Sequence, residues 1–283
     1  MHILSNSSFL IILVGTCLLS TSAGIIGCLS VHKGQSLIGD AIGHATFPGI
    51  IISFMLKQSR VPHLLLLGAI LAGVLCYILI HLTKRFSKLP MDAAMSIFLS
   101  GFFGLGMVLK SFIQGNPNYQ TASQSGIESF IFGQAAFMLV SDVKLILIVS
   151  VFLCLIVFLF FKEFKLFLFD EEYGNTIGFS SNVMHGLLLI ITIALIAVSI
   201  QAVGVILISS LLIMPCVAAN QWSERFEIVI SLVAGIGGGA AFLGTLWSSS
   251  VRGISTGPAI IVVMGSFCLF SLLYAHIKKR GTK

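Results

Sequence analysis

The stretch VKLILIVSVFLCLIVFLFF, residues 143–161, decides the fold class of this chain. It holds 19 residues with a single charged side chain, that of Lys144, and a helix needs roughly 20 such apolar residues to cross a bilayer. The chain of 283 residues is 57% hydrophobic and 9% charged, whereas soluble domains have about 25% charged residues. The alternating pattern that β-barrel strands require is absent from the sequence. The sequence therefore predicts an all-α, polytopic transmembrane helical bundle.

Apolar windows of similar length occur along the whole chain. We predict nine membrane helices, with eight or ten as alternatives, at residues 9–29, 35–56, 63–82, 91–112, 143–161, 185–200, 203–219, 228–247 and 259–276. The two windows on either side of residues 201–204 are short, so they form either a broken pair of helices or one long helix. Residues 1–283 are expected to form a single transmembrane domain.

Lysine and arginine residues orient these helices, because cytoplasmic loops carry an excess of both. With nine spans and a cytoplasmic C-terminus, the cytoplasmic side receives Lys33, Lys84, Arg85, Lys88, Lys162, Lys165, Arg225, Lys278, Lys279, Arg280 and Lys283. The outer side receives Lys57, Arg60, Lys110, Lys144 and Arg252. This excess places the N-terminus outside. The polar loop 113–127 and a short helix at 127–133 are then extracellular, and the segment 161–174 is cytoplasmic.

The stretch GQSLIGDAIGHATFPG, residues 34–49, places an acid and an imidazole within a predicted span. Asp40 and His44 are four residues apart, so they share one face of a helix. If the second helix starts near Gln35, His44 lies about 13 Å along it, close to mid-bilayer. Pro48 can bend the helix just beyond the pair. An aspartate at that depth costs roughly 2.5 to 3.5 kcal/mol, which predicts a functional role and a binding partner.

The two side chains together suit a divalent transition metal. A carboxylate oxygen and a neutral imidazole nitrogen bind Mn, Fe or Zn, and they are poor ligands for Cu(I). Two ligands hold an ion weakly, but four converge if the second helices of two copies face each other. The structural alternative is a hydrogen bond between Asp40 and His44 that joins helices.

The other potential ligands are expected to serve mainly in packing or at the membrane interface. Six cysteines stand singly in apolar surroundings without CxxC spacing and are expected to be small packing residues: Cys17, Cys28, Cys76, Cys154, Cys216 and Cys268. His32 is expected at the membrane interface. His185, at the start of the sixth span, is either interfacial or in contact with the transport path. Met214 and Pro215 offer a soft donor and a kink, with packing as the alternative.

Several function classes lack their motifs. The chain contains neither a GxxxxGK[ST] phosphate loop nor an HExxH motif. Residues 235–240, GIGGGA, lie inside an apolar span without a preceding strand, which indicates close helix packing rather than dinucleotide binding. The positive charges lie between apolar windows, so they report orientation rather than affinity for nucleic acid. The chain is therefore expected to be neither an enzyme nor a nucleic-acid-binding protein.

Three separated motifs resemble the membrane subunits of bacterial ABC importers for manganese, zinc and iron. They are SLIGDAIGHATFPGI at 36–50, FKEFKLFLFD at 161–170 and QAVGVILISSLLIMPCVAA at 201–219, in the order seen in that family. The resemblance covers almost the whole chain. It implies a type II ABC-importer-like permease in the bacterial cell membrane, working as a homodimer among membrane lipids. It also implies a separate cytoplasmic ATPase that binds the ATP, and an extracytoplasmic metal-binding lipoprotein.

The resemblance also implies a cargo and roles for residues. GDAIGHATFPG is more similar to the manganese permeases, so Mn(II) is the expected cargo, with Zn(II) or Fe(II) as alternatives and no permanently bound cofactor. Asp40 and His44 become the metal-coordinating residues. Gly43 stands where relatives usually have Ser or Ala, and it should loosen the helix locally.

The segment 161–170 becomes, on the same resemblance, the coupling helix that fits a groove on the ATPase. Phe164, Leu166 and Phe167 would supply the buried contact with that partner. The other residues assigned to this helix are Phe161, Lys162, Glu163, Lys165 and Asp170. From the residues alone, an amphipathic segment lying in the membrane interface is an equal alternative.

Two other function classes stay open from the residues. In a secondary carrier, Asp40 and His44 would relay protons and no ATPase would be needed, but Asp40 is nearly alone among acidic residues in mid-span. In a membrane scaffold, the buried pair would be an unexplained cost.

Overall fold

A computed structural model describes residues 7–57, 62–116, 119, 133, 135, 138–251 and 253–281. The regular structure in these residues is entirely helical. Its helices are α1 (Ser7–His32), α2 (Ile38–Lys57), α3 (Pro62–Phe86), α4 (Met91–Gly115), α5 (Val140–Leu159), α6 (Phe161–Phe169), α7 (Glu171–Thr176), α8 (Ser181–Ala219), α9 (Phe226–Ser250) and α10 (Thr256–Gly281). The all-α prediction is confirmed.

Nine helical segments in this described part of the chain are long and apolar enough to cross a membrane. They are α1 to α5, two segments of α8, α9 and α10, in agreement with the nine windows expected. Their ends differ from the prediction by a few residues. The fifth span ends at Leu159 instead of residue 161, so Phe161 belongs to α6.

The predicted polar loop is shorter at its start than the sequence indicated. Residues 113–115 continue α4, because the helix runs to Gly115. Most of the remaining loop and the predicted short helix at 127–133 lie outside the described residues. Gly133 is described and has a φ of 72°.

Helix α8 is a hairpin of two antiparallel arms. Its backbone breaks at Gly204, where φ is 79° and ψ is 167°, a conformation that only glycine adopts without strain. We call the arms α8a (Ser181–Ile200) and α8b (Ala202–Ala219). His185 of α8a lies 3.6 Å from Glu171 of α7, and Cys216 of α8b lies 3.3 Å from Cys28 near the end of α1.

An ion pair places both ends of the hairpin on the same side of the bundle. Lys33, just beyond α1, pairs with Glu171 at 2.5 Å. The region around Cys216 and the region around His185 are therefore neighbours, and the chain reverses between them. Of the two alternatives left by the sequence, the structure has the broken pair. We call this side of the bundle the α6–α7 end.

The core lies where α1, α2 and α8 meet. Helix α1 packs against α5, α8 and α9, and α2 packs against α3, α4 and α8. The most enclosed spans are α2 and α8b, and the least enclosed is α4. A Cβ added at Gly27 would overlap the carbonyl group of Leu212, so α1 and α8b touch backbone to backbone. Small residues at such contacts are typical of helix packing in membranes.

Candidate metal site on helix α2

A tight turn after α1 fixes where α2 begins. Gly34 has a φ of 71°, its N–H donates to the Val31 carbonyl at 3.0 Å, and the Gln35 N–H donates to the Ser30 carbonyl at 2.9 Å. This is the Schellman arrangement that commonly ends a helix. A further turn follows it, in which the Ile38 N–H donates to the Gln35 carbonyl at 3.1 Å, so α2 begins at Ile38 rather than near Gln35.

The pair therefore lies nearer the start of its helix than the sequence indicated. Asp40 lies in the first turn of α2, and His44 lies about 9 Å along the helix instead of about 13 Å. Asp40 is closer to the α6–α7 end than to the middle of the helix, and His44 lies between the two, nearer the middle. The position suits a carboxylate, because the N-terminal turn of a helix carries partial positive charge.

Two polar contacts of Asp40 with described residues meet the same oxygen. His44 Nε2 lies 3.4 Å from Asp40 Oδ1, and the Ser209 hydroxyl of α8b donates to Oδ1 at 2.8 Å. The spacing of four residues thus brings acid and imidazole together, as predicted. Neither contact uses the other carboxylate oxygen, Oδ2.

The pair opens toward the outside of the chain between α4 and α8b. From residue 38 to residue 51, Asp40 and His44 are the two residues that are not buried, with side chains 28% and 18% exposed. The His44 ring stands edge-on to Phe103 of α4, with centroids 4.9 Å apart, and Asp40 contacts Ser209 of α8b. Within the described residues, the pair is not joined by a third His, Cys, Asp or Glu. One chain therefore offers an ion an incomplete set of ligands.

Ser209 is a contact that sequence reasoning missed. It lies in the motif at 201–219, where Ser209 and Ser210 interrupt an otherwise apolar arm. A hydroxyl pair in a membrane span is a signal, because polar side chains there usually bond to another helix. Which span would lie against Asp40 could not be inferred from residues alone.

Gly43 and Pro48 both lie within α2, where they affect its packing and its hydrogen bonds. A Cβ at Gly43 would come within 3.1 Å of Val205, so this glycine permits the close approach of α8b that brings Ser209 to Asp40. Helix α2 runs unbroken through both residues. Pro48 has no N–H to donate to the His44 carbonyl, which removes one helical hydrogen bond next to the pair.

The other residues considered for the path lie elsewhere. Met214 and Pro215 belong to α8b, and Pro215 lies close to Gly24 of α1. His185 lies at the α6–α7 end, beside Glu171. It lines a cavity of about 700 Å³ together with Gln35, His81 and other residues. The structure does not bring these three residues to Asp40 and His44.

The segment predicted to dock an ATPase forms α6 and α7, and part of that prediction is wrong. Phe164 and Phe167 are 0% and 4% exposed, because they face the chain's own core and cannot supply contacts to a partner. In residues 161–174 the exposed residues are Lys162, Lys165, Phe169, Asp170, Glu172 and Tyr173, whereas Phe161, Glu163, Leu166, Leu168 and Glu171 are half-buried. Helix α6 is thus amphipathic, with its aromatic face directed inward.

Lys33 fastens this segment to the turn that precedes α2. Its ammonium group donates to the Phe167 carbonyl at 3.0 Å and to the Glu171 carboxylate at 2.5 Å. The hydrogen bond from Lys33 holds the pKa of Glu171 below its usual range. Lys33 thus connects α6 and α7 to the turn that precedes the helix carrying Asp40.

Comparison with known proteins gives one matching family and several relatives. The model of the ABC 3 transport family matches residues 7–275. The zinc transport system membrane protein TroC of Treponema pallidum is 38% identical, over 96% of this chain and 91% of its own length. The manganese transport system membrane protein MntC of Bacillus subtilis is 40% identical, over 95% of this chain and 61% of its own length.

A further relative and a solved structure extend the comparison. The chelated iron transport system membrane protein YfeD of Yersinia pestis is 34% identical, over 90% of this chain and 81% of its own length. The solved structure of PsaBC from Streptococcus pneumoniae in complex with Fab is similar to this chain, with a TM-score of 0.79. That match has 29% identity and covers 96% of this chain and 91% of the other. These relatives are named for three different metals.

Proposed function

The chain belongs to the ABC 3 transport family, and on that premise we propose that it is the permease subunit of an importer that moves a divalent transition metal ion into the cytoplasm. It is a multi-pass protein of the bacterial cell membrane. The observation that carries the proposal is the open pair on α2, where Asp40 and His44 lie 3.4 Å apart and form an incomplete ligand set. The ion is the cargo, and no resident cofactor is required.

We propose that the site is completed by a second copy of the chain. In a two-fold dimer the same patch occurs on both subunits, so the open sides between α4 and α8b would face each other. Two Asp40 carboxylates and two His44 imidazoles would then surround one ion. Their two negative charges would neutralise the two positive charges of the cation, which a single chain cannot do.

The favoured cargo is Mn(II), with Zn(II) or Fe(II) as alternatives. The stretch 34–49 resembles the manganese permeases, and its oxygen and nitrogen donors include no thiolate, the ligand that favours zinc over manganese. The degree of identity does not separate the metals, because relatives named for zinc and for manganese are 38% and 40% identical. Intrinsic affinity favours zinc at nitrogen and oxygen sites, so selection of manganese has to come from geometry and supply.

We place the ATPase at the α6–α7 end, which the positive charges make cytoplasmic. Phe169 and Tyr173 are 59% and 55% exposed there, and Lys162 and Asp170 lie beside them. These exposed residues replace Phe164 and Phe167 as the expected contact. ATP would bind to that partner, and the lipoprotein would deliver the ion at the opposite end. Closure of the ATPases would act on α2 through α6 and Lys33.

The test is metal uptake by liposomes that contain the permease and its ATPase. The double variant Asp40→Ala and His44→Ala should assemble normally but lose ATP-dependent uptake of Mn(II). The matched control is Asp92→Ala with His63→Ala, which removes the same two side-chain types at exposed positions outside the site. Unchanged uptake by the Asp40 and His44 variant would refute the site. Uptake driven by a pH gradient without ATP would favour the secondary carrier.

A further inference from the structure

Three side chains form a compact cluster where the end of α1 meets the end of α8b. The Cys28 and Cys216 sulfurs lie 3.3 Å apart. The His32 Nδ1 atom lies 3.5 Å from the Cys28 sulfur and 3.8 Å from the Cys216 sulfur. Among the described residues, this is the one group of three metal-ligating side chains whose ligand atoms lie within 4.8 Å of one another.

We propose that Cys28, His32 and Cys216 form a second metal site, which takes a thiophilic divalent cation of the Zn(II) class. A tetrahedral zinc ion with usual bond lengths separates two sulfurs by about 3.8 Å and a sulfur from a nitrogen by about 3.6 Å. The sulfurs would therefore move apart by about half an ångström to accept the ion. The two sulfur–nitrogen distances, 3.5 Å and 3.8 Å, already bracket the required value.

The surroundings hold these ligands in place. Both sulfurs belong to residues that are 0% exposed, and the contact between Gly27 and Leu212, one residue and four residues away, keeps α1 against α8b. The Asn220 amide donates to the Cys216 sulfur at 3.6 Å, and hydrogen bonds of this kind support metal-bound sulfur. The site is thus rigid and formed by two helices that are distant in sequence.

The His32 ring is oriented by aromatic neighbours and has to change one hydrogen bond. It stands edge-on to Phe169 and Phe226, with centroids 5.9 Å and 5.2 Å away. Its Nδ1 atom also lies 2.9 Å from the Cys28 carbonyl oxygen, to which it donates when protonated. Binding a metal requires the tautomer with the proton on Nε2, so this bond is exchanged for the bond to the ion. A water molecule can complete the fourth position.

The ligand chemistry separates this site from the pair on α2. Two thiolates and an imidazole select zinc-like ions, whereas manganese prefers oxygen ligands. Cys216 is seven residues from Ser209, about 10 Å along α8b. An ion at this cluster would therefore link α8b to α1. The same arm, α8b, carries Ser209, which contacts Asp40 of α2. The proposal does not depend on the transport function or on the identity of the cargo.

The test is Co(II) binding to the purified, reduced, metal-free chain that carries Asp40→Ala and His44→Ala, so that the transport pair cannot contribute. One equivalent of Co(II) per chain should bind with the intense sulfur-to-cobalt absorption of a thiolate site, and Zn(II) should abolish that absorption by displacement. Cys28→Ser and Cys216→Ser should each remove the absorption, and His32→Ala should weaken binding. Cys154→Ser is the matched control, because that cysteine lies outside the cluster on α5, and it should bind as the parent does.

The opposite results are equally definite. Absence of the absorption in the parent, or its survival in Cys216→Ser, would overturn the proposal. A disulfide between Cys28 and Cys216 would also overturn it. Such a bond would show as the loss of two free thiols in the metal-free chain, and reduction would restore both thiols. If a variant fails to fold, X-ray absorption by the zinc-loaded parent decides. Two sulfur ligands at about 2.3 Å support the site, and a shell of oxygen and nitrogen alone refutes it.

Discussion

Replacement of Ser209 by alanine isolates the contribution of one hydroxyl group to the proposed cargo site. Ser209 donates to Asp40 Oδ1 at 2.8 Å and thereby restrains the carboxylate. Without this bond the carboxylate can rotate, so the ion would lose a preoriented ligand. Groups that orient a metal ligand typically contribute 10- to 100-fold, about 1.4 to 2.8 kcal/mol, to metal affinity.

The structure favours the lower end of that range. A hydroxyl has a single proton, and the Ser209 oxygen also lies 2.9 Å from the Val205 carbonyl of its own helix. The bond to Asp40 is therefore shared, and we take the charge-assisted minimum of about 1.5 kcal/mol. That value predicts a roughly tenfold weaker apparent affinity for Mn(II) in Ser209→Ala.

The assay is the Mn(II) concentration dependence of ATP-driven uptake in liposomes. Ser210→Ala is the matched control, because its hydroxyl donates to the Ile206 carbonyl at 2.9 Å within the same helix. Ser209→Thr keeps the hydroxyl and should retain most of the affinity. An affinity of Ser209→Ala within about twofold of the wild type, or an equal loss in Ser210→Ala, would refute the orienting role.

Three further predictions concern stability and partner binding. The folded-state pKa of Glu171 is lowered, so its ion pair stabilises the chain above the unfolded pKa of about 4.3, and this stabilisation is lost as the pH falls through the folded value. The melting temperature of Glu171→Gln should therefore approach that of the wild type in acid. A difference between the two melting temperatures that stays constant with pH would contradict this. Phe164→Ala should cost about 3 to 5 kcal/mol of unfolding free energy, because the ring is fully buried. Phe169 is exposed, so Phe169→Ala should keep the stability of the chain and lose co-purification with the ATPase, and the reverse pattern would show that the docking face is misassigned. Gly27→Ala should destabilise the fold, because the added Cβ overlaps the backbone of Leu212. Gly101 has open space around it, so Gly101→Ala should leave the free energy of unfolding unchanged or raise it by up to about 1 kcal/mol. Equal melting temperatures for the two variants would argue against the close contact at Gly27.

The sequence was sufficient for the elements and for the contact between Asp40 and His44. Hydropathy reports the length of each apolar segment, which is why nine spans could be predicted and are found among the described residues. The spacing of Asp40 and His44 is a local property of a helix, since residues four apart share a face wherever the helix lies. The start of α2 was misjudged, because the tight turn at Gly34 and the further turn after it take up the next three residues.

The tertiary structure decided what lies against these elements. In a membrane both the lipid-facing and the protein-facing sides of a helix are apolar, so hydropathy does not indicate which side packs. The inward direction of Phe164, the contact of Ser209 with Asp40 and the meeting of Cys28 with Cys216 all depend on that choice. It follows from the reversal at Gly204 and the close approach at Gly27, which bring together residues more than 160 positions apart. The sequence by itself determined that Asp40 and His44 share one face of α2, and only the packing of α8b determined their neighbours, because contacts between distant helices have no local periodicity to reveal them.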